Sequence, residues 1–310
     1  MDLRPIIKEV GRGAHGARAL PEDVAEALFG AMLDGEVAEL ELGAILLAYR
    51  IKGETAAELR GFARALAART ARLDPPEGPR PVLLPSYNGA RKLPNLTPLL
   101  AHLLARRGVP VLVHGISASY GRITTEAILA EMGDGIAASL DDADAHLLSA
   151  RMAYVPLHVL APGLDRLLAA RERIGLRGSG HTVAKLLDPF AGPAGPGGVL
   201  IVPVTHPDYI ALMRDYLQSV NVTALLFRGH EGEPTAGPRR PLEADVFVAG
   251  IHSTLNAERP PEVALPEVID AKTTAQWTRE ALAGEAGIPA PLVKLADWCE
   301  AMARGRMPLG

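Results

Sequence analysis

The sequence predicts an α/β protein: a helical N-terminal domain, then a larger α/β domain with a mainly parallel sheet flanked by helices. Three observations predict it. Residues 1–70 carry apolar side chains at helical spacing and show no strand pattern. From about residue 75, short apolar runs bounded by Gly, Pro or polar turns alternate with helical stretches, as strands joined by crossover helices do. Each run is continuously apolar, as expected of strands covered on both faces.

The elements follow in order. Pro21-Glu22-Asp23 places Pro and acids in a first turn, and Val24, Leu28 and Met32 then repeat at helical spacing. Residues 42–51 form an apolar helix that Gly53 ends. Thr55 caps the next helix, with Leu59, Phe62 and Leu66 on one face. The helical domain is assigned to residues 1–72, joined by helices from about 163–190, and the α/β domain to 73–310. Strands are expected at 81–84, 109–113, 154–159, 199–204, 224–227 and 245–248. Residues 191–198, AGPAGPGG, read as a hinge-like linker, and 231–242 and 256–266 as Pro-rich loops. From about residue 270 the chain returns to helix, with Trp277 and Trp298 as core anchors.

Composition narrows the function classes. A chain of 310 residues that is 48% hydrophobic and 22% charged is globular. Its net charge of -4 gives no global attraction to nucleic acid, so such a role needs basic residues gathered on one face. Cys299 is the only cysteine, which permits no intrachain disulfide and fits a reducing compartment; beside Trp298 it reads as a buried structural thiol. The first residues carry Asp2, Arg4, Lys8 and Glu9, unlike a signal peptide, and no run approaches a membrane span. The expectation is a cytoplasmic protein with no membrane partner.

Gly11-Arg12-Gly13-Ala14-His15-Gly16 matches GxGxxG. A dinucleotide fingerprint follows a strand and opens a helix. Here a helical segment precedes the match, so it reads as a loop between helices. None of His114, His181, His206 and His230 shows zinc-ligand spacing.

Residues 85–100, PSYNGARKLPNLTPLL, lie between a strand and a helix, the layout of a phosphate cradle. Yet the loop has one glycine, Gly89, and no acid. Residues 42–66, LGAILLAYRIKGETAAELRGFARAL, resemble the anthranilate phosphoribosyltransferase family, as do His114-Gly115 after a strand, residues 171–189 and the strand-turn 225–232. The resemblance covers nearly the whole chain. It implies the nucleoside phosphorylase and phosphoribosyltransferase fold, a homodimer formed through the helical domain, and a reaction joining a phosphoribosyl group from phosphoribosyl pyrophosphate to anthranilate nitrogen with magnesium.

The motifs carrying that chemistry are altered. The family's GTGGDG cradle falls on Pro85-Ser86-Tyr87-Asn88-Gly89-Ala90, counted back from Asn95, which resembles the Asn of the family's NIST segment. Pro, Tyr, Asn and Ala restrict the backbone or fill the space of a diphosphate. KHGNRS becomes Val113-His114-Gly115-Ile116-Ser117-Ala118, and GSAD becomes Thr124-Thr125-Glu126-Ala127. The magnesium-binding Asp-Glu pair falls on Pro234 and Thr235; neither is a hard carboxylate ligand. Glu231 and Glu233 lie nearby, displaced by one or two residues, and are not expected to replace the pair. Acidic and glycine positions are lost while basic residues stand close by. This pattern, with the stretches LPSYNGARK, LTPLL and IKEVGRG, resembles the YbiB-type paralogues of the family, which are DNA-binding proteins without the parent activity.

The resemblance and the basic residues together define the candidates. Arg91, Lys92, Arg122, Arg171, Arg177, Lys185 and Arg228 are the nucleic-acid or phosphate-binding set, with Arg173, Arg239 and Arg240 on the rim. Asn88, Gly89, Asn95, Thr97, His114, Gly115 and His181 are remnants of the family cleft. No catalytic residue, metal ligand or cofactor is assigned. Basic residues on helices are ordinarily solvated, and Glu172 is placed to pair with Arg171 or Arg173. The loop pair Arg91-Lys92 and the strand-end Arg228 therefore stand out. Tyr87 and Tyr120 could stack on bases of a single strand, although a tyrosine placed like Tyr87 more often packs than stacks. The amides before His181 could hold one phosphate, although a hydrogen-bonded structural histidine is the commoner case. The expected function is non-enzymatic, largely sequence-independent binding of nucleic acid, DNA before RNA, by a homodimer. The alternatives are a glycosyl transferase acting on phosphoribosyl pyrophosphate with a modified site, and a sensor of small anions or nucleotides.

Overall fold

The computed structural model describes every residue except 1, 14, 120, 193, 194, 259, 260 and 310. Four helices come first: α1 (Arg4–Val10), α2 (Glu22–Asp34), α3 (Glu39–Lys52) and α4 (Ala56–Ala67). The α/β part follows as β1 (Val82–Ser86), α5 (Thr97–Arg106), β2 (Val111–Gly115), α6 (Thr125–Met132), α7 (Leu140–Ala150) and β3 (Met152–Pro156). Three helices return toward the N-terminal bundle: α8 (Leu157–Leu160), α9 (Pro162–Ile174) and α10 (Ser179–Val183). Next come β4 (Ala191–Gly192), β5 (Gly195–Pro196), β6 (Val199–Val204), α11 (Pro207–Ser219) and β7 (Thr223–His230). The chain ends with β8 (Glu233–Ala236), β9 (Glu243–Val248), β10 (Ile251–Asn256), α12 (Ala271–Ala283) and α13 (Ala290–Ala303).

The sheet runs in the order β10-β9-β7-β6-β1-β2-β3, with β8 on β7 off this path. The pairs from β7 through β6, β1 and β2 to β3 are parallel. β8, β9 and β10 add antiparallel pairs at one side. β1, β2, β3 and β6 are buried along their whole length, which is why their sequences do not alternate. One face packs on the N-terminal helices and α9, through Phe29, Phe62, Leu164 and Leu200. The other packs on α5, α12 and α13, through Leu100, Trp277, Trp298 and the buried Cys299. α4 starts with a capping box, Thr55 and Glu58 each satisfying the other's backbone amide.

Several local expectations need correction. The expected strand 154–159 is β3 followed at once by α8: Pro156 ends the strand, and 157–160 coil into one helical turn. Residues 231–242, expected as loop, contain β8, whose Pro234 is tolerated because this short strand sits outside the main ladder. In the supposed linker 191–198, β4 and β5 pair as a two-stranded ribbon. The GxGxxG match follows a helix, α1; its Ala14 lies outside the described residues. No helix among the described residues is long and apolar enough to cross a membrane.

Candidate anion-binding cleft

β1 delivers the chain at its carboxyl end into the loop that precedes α5, the place where open α/β sheets hold ligands. There the loop's amides converge on carboxylates of the chain itself. Glu233 Oε1 accepts from the backbone N–H of Asn88 at 2.9 Å and of Gly89 at 2.7 Å. Its Oε2 lies 2.5 Å from Ser86 Oγ, 3.2 Å from Thr97 Oγ1 and 3.5 Å from Thr125 Oγ1. Glu231 Oε1 accepts from the amides of Lys92 at 2.8 Å and Leu93 at 3.2 Å, and its Oε2 from that of Arg91 at 3.1 Å. Arg122 closes the set, donating to Glu231 Oε2 at 3.2 Å and to the Gly89 carbonyl at 3.1 Å. Burial alone would raise the Glu231 pKa, but the amides of Lys92, Leu93 and Arg91 outweigh it and hold the carboxyl below its ordinary range.

The surroundings lock this arrangement. Gly89 sits at φ +68, and a Cβ there would lie 2.9 Å from the Ile123 carbonyl oxygen, so only glycine lets the loop lie against 122–123. Asn95 accepts from the Thr97 amide at 3.1 Å and donates to Thr125 Oγ1 at 3.0 Å. Behind the loop the buried Tyr87 hydroxyl meets His114 Nδ1. Burial pushes His114 down to about 3, so the ring is neutral, and its Nε2 is buried with no partner. Gly115 follows at the end of β2, hydrogen-bonded into the ladder beside Ser86. The remnants Asn88, Gly89, Asn95 and Thr97 thus form one network around Glu233, with His114 and Gly115 behind it. Tyr87 is buried and packs, the role its sequence context favoured over base stacking. Tyr120 lies outside the described residues.

Basic residues surround this loop. A cleft of about 260 Å³ is lined by Arg50, Arg171, Arg177, His181, Lys185 and Tyr209, among others. It shares Asn88, Arg171, Arg177 and Thr205 with a second recess, which adds Arg91, Lys92 and Arg122. A third, lined by Arg228 and Arg240, continues from the second through Lys92, Thr205 and Glu231. The structure therefore places Arg91, Lys92, Arg122, Arg171 and Arg177 around one recess, Lys185 in the adjoining cleft and Arg228 in the flanking one. Rim residue Arg173 turns away and pairs with Glu39.

Their pairing separates these cations from the other arginines. On the helical domain Arg60, Arg64 and Arg69 are spent on Glu22, Glu26 and Asp34. In the cleft, the side chains of Arg50, Arg91, Lys92, Arg171, Arg177, Lys185 and Arg228 make no hydrogen bond or ion pair among the described residues. Burial, then repulsion from Arg171, Arg122 and Arg50, brings Arg177 down to about 10. Burial and Arg177 bring Lys185 down to about 8. Burial, then repulsion from Arg177, Arg171 and Lys185, holds His181 neutral, at about 3. The nearby carboxylate of Glu54 is occupied by the Tyr209 hydroxyl at 3.1 Å and opposes part of the Lys185 shift. Cations kept unpaired at this cost in self-repulsion are what an external anion would neutralise.

Sequence reasoning missed Arg50, and it missed the role of Glu231 and Glu233. Arg50 closes an apolar helix whose last turn is basic, a pattern that also arises from helix-dipole compensation alone. The donor set does not suit magnesium. Pro234 and Thr235 occupy the buried strand β8, and the oxygens of Glu233 are already taken by N–H and hydroxyl donors. No catalytic step through a metal or a sugar diphosphate follows from these residues.

Comparison with known proteins places this geometry. Residues 4–70 match the helical bundle domain of a glycosyl transferase family. The chain is 42% identical over 309 residues to YbiB of Escherichia coli K12, covering 98% of this chain and 95% of that protein. It is 28% identical over 199 residues to an anthranilate phosphoribosyltransferase of Desulfitobacterium hafniense Y51, covering 64% of this chain and 57% of the relative. Among solved structures, the anthranilate phosphoribosyltransferase of Thermus thermophilus superposes with a TM-score of 0.76 at 22% identity, covering 96% of this chain and 89% of that one. The Saccharomyces cerevisiae enzyme in complex with PRPP and Mg superposes at 0.69 and 15% identity, covering 98% and 89%. The chain belongs to the family of YbiB and is related to the anthranilate phosphoribosyltransferases, whose fold it shares.

Proposed function

We propose that this protein is a non-enzymatic nucleic-acid-binding member of its family, gripping phosphates in the basic cleft with little regard to sequence. The observation that carries the reading is the set of unpaired cations, Arg91, Lys92, Arg171, Arg177, Lys185 and Arg228, beside a loop whose own amides are already satisfied by Glu231 and Glu233. Phosphate contacts position a polyanion without reading its bases. DNA is the first candidate and RNA the second. A homodimer formed through the helical domain would present two such clefts to one polymer and raise avidity; the exposed Leu40, Leu47 and Ile51 of α3 support that contact. A cytoplasmic setting suits this partner.

The second reading is a glycosyl transferase acting on phosphoribosyl pyrophosphate with a modified site. Kinship with phosphoribosyltransferases supports it. Against it stand Glu233 in the loop's amides, and Pro234 and Thr235 where the family's magnesium carboxylates belong.

The test is binding of a labelled mixed-sequence oligonucleotide across a salt series. Wild type is expected to lose affinity steeply with salt, and Arg91→Ala/Lys92→Ala to show a slope shallower by about 1 to 2 units. Absence of binding at low salt overturns the reading. Phosphoribosyl anthranilate formed from anthranilate, phosphoribosyl pyrophosphate and magnesium would favour the second.

A pH series tests the cleft separately. Lys185, at about 8, is charged below that pH and neutral above it. Affinity is expected to fall as pH rises through 8, and Lys185→Ala to remove that step. Stability should move the other way. The unfolded lysine keeps its proton to about 10.4 and the folded one releases it near 8, so folding gains stability between those values.

A further inference from the structure

We propose that Glu231 and Glu233 are resident stand-ins for a bound oxyanion: they order the loop between β1 and α5 without any ligand and close it to phosphate. The inference does not depend on the nucleic-acid reading. It rests on donors, on backbone geometry and on burial.

The donors come first. Two successive amides and three hydroxyls converge on one carboxylate, that of Glu233, in a residue only 1% exposed. Three further successive amides converge on Glu231. Runs of backbone N–H groups aimed at one point form an anion nest. Here the anion is covalently attached and arrives from a strand more than a hundred residues away.

The delivering turn is the second observation. His230 pairs with Glu233, leaving Glu231 and Gly232 as a two-residue hairpin turn. Both have positive φ, 52 and 89. This turn favours Asn or Asp followed by Gly, so a glutamate in the left-handed region is the costlier choice. It is one of few non-glycine residues with positive φ among those described, with Arg151 and Ala249. Gly232 lets the turn lie on Asn88, whose side-chain nitrogen would be 3.3 Å from an added Cβ. Asn88 in return donates its side-chain N–H to the Glu231 carbonyl. The turn is thus fixed to the loop from both sides, with its carboxylates in the amides.

The consequence concerns how the loop presents its cations. A loop ordered only by ligand would be loose when empty. With resident carboxylates in its amides, this loop is ordered beforehand, and the Arg91 and Lys92 side chains are left exposed at its edge. Removing a carboxylate should then reopen the nest to an anion from solution.

The experiment uses the full chain with inorganic phosphate as probe and chloride of equal ionic strength as control. Thermal midpoints and backbone amide resonances are recorded for wild type, Glu233→Ala and Glu231→Ala. Phosphate held by the basic cleft stabilises wild type as well as the variants, and Glu231 lines that cleft, so the loop amides rather than the midpoints alone report the nest. Glu233→Ala is expected to melt several degrees lower, and phosphate to restore about half of that fall or more. The Asn88 and Gly89 amides should shift with phosphate in Glu233→Ala and stay fixed in wild type. If Glu233→Ala does not fold, Glu231→Ala decides, because its carboxylate sits at the loop's outer edge; the Arg91, Lys92 and Leu93 amides should then shift. Equal phosphate response in variants and wild type, with these amides unmoved, overturns the proposal. So does a phosphate shift of the Asn88 and Gly89 amides in wild type.

Discussion

Replacing Glu58 with alanine should destabilise the protein by about 3–5 kcal/mol, the cost of leaving a buried charge without its partner. Glu58 is fully buried, and both carboxylate oxygens are in use. Oε1 accepts from the Leu20 amide and the Tyr49 hydroxyl, each at 2.9 Å. Oε2 accepts from Lys52 Nζ at 2.7 Å, the Thr55 amide at 2.9 Å and Thr55 Oγ1 at 3.0 Å. One side chain therefore ties the α1–α2 connection, the end of α3 and the start of α4. Its loss takes from the Lys52 ammonium, of which only 8% of the side chain is exposed, its only carboxylate among the described residues, leaving it the Gly53 carbonyl and the Tyr49 ring, and leaves the Leu20 amide without an acceptor. Denaturant unfolding followed by helical circular dichroism checks it. A loss below about 1 kcal/mol, the level of a surface pair, would show that water replaces the carboxylate.

The second large effect has opposite signs in two measurements. Arg171→Ala/Arg177→Ala/Lys185→Ala should weaken oligonucleotide binding by roughly 10²–10³-fold at about 0.1 M salt, since each phosphate contact contributes nearly one unit to the salt slope. The same variant should fold as well as wild type or better. Burial and mutual repulsion bring Arg177 to about 10 and Lys185 to about 8, so removing these charges relieves a cost that the folded state carries. Affinity lost with the melting temperature held or raised would identify a cleft kept charged for an external partner. Affinity and stability falling together would make the cluster structural instead.

The two effects lie in different parts of one molecule for a physical reason. In the helical domain, acids and bases are matched and hold helices together. In the cleft, the acids are drawn inward to backbone amides, and the bases are left over. A chain with a net charge of -4 can present a local cationic groove because Glu231 and Glu233 are neutralised by N–H groups rather than by arginine alone.

The sequence by itself determined the order of the layers: a helical bundle with its Thr55 cap, then parallel strands whose continuous apolar runs state that both faces are covered. Local pattern suffices there, since helical spacing and strand burial are written within windows of a few residues. It also named most of the basic cleft, because the altered loop places Arg91 and Lys92 beside a glycine that still makes its turn. Tertiary structure decided the rest. Which cations remain unpaired depends on partners far along the chain: Arg173 pairs with Glu39, whereas Arg171 and Arg177 make no ion pair among the described residues. Arg50 entered the cleft only once α3 was packed beside α10. Strand β8 was hidden by Pro234, since four residues paired to β7 alone, off the main strand order, leave no period to read. The exchange of a phosphate-type nest for resident carboxylates was not legible either. Its amides lie in 88–93 and its acids in 231–233, and only the fold brings donor and acceptor within hydrogen-bond distance.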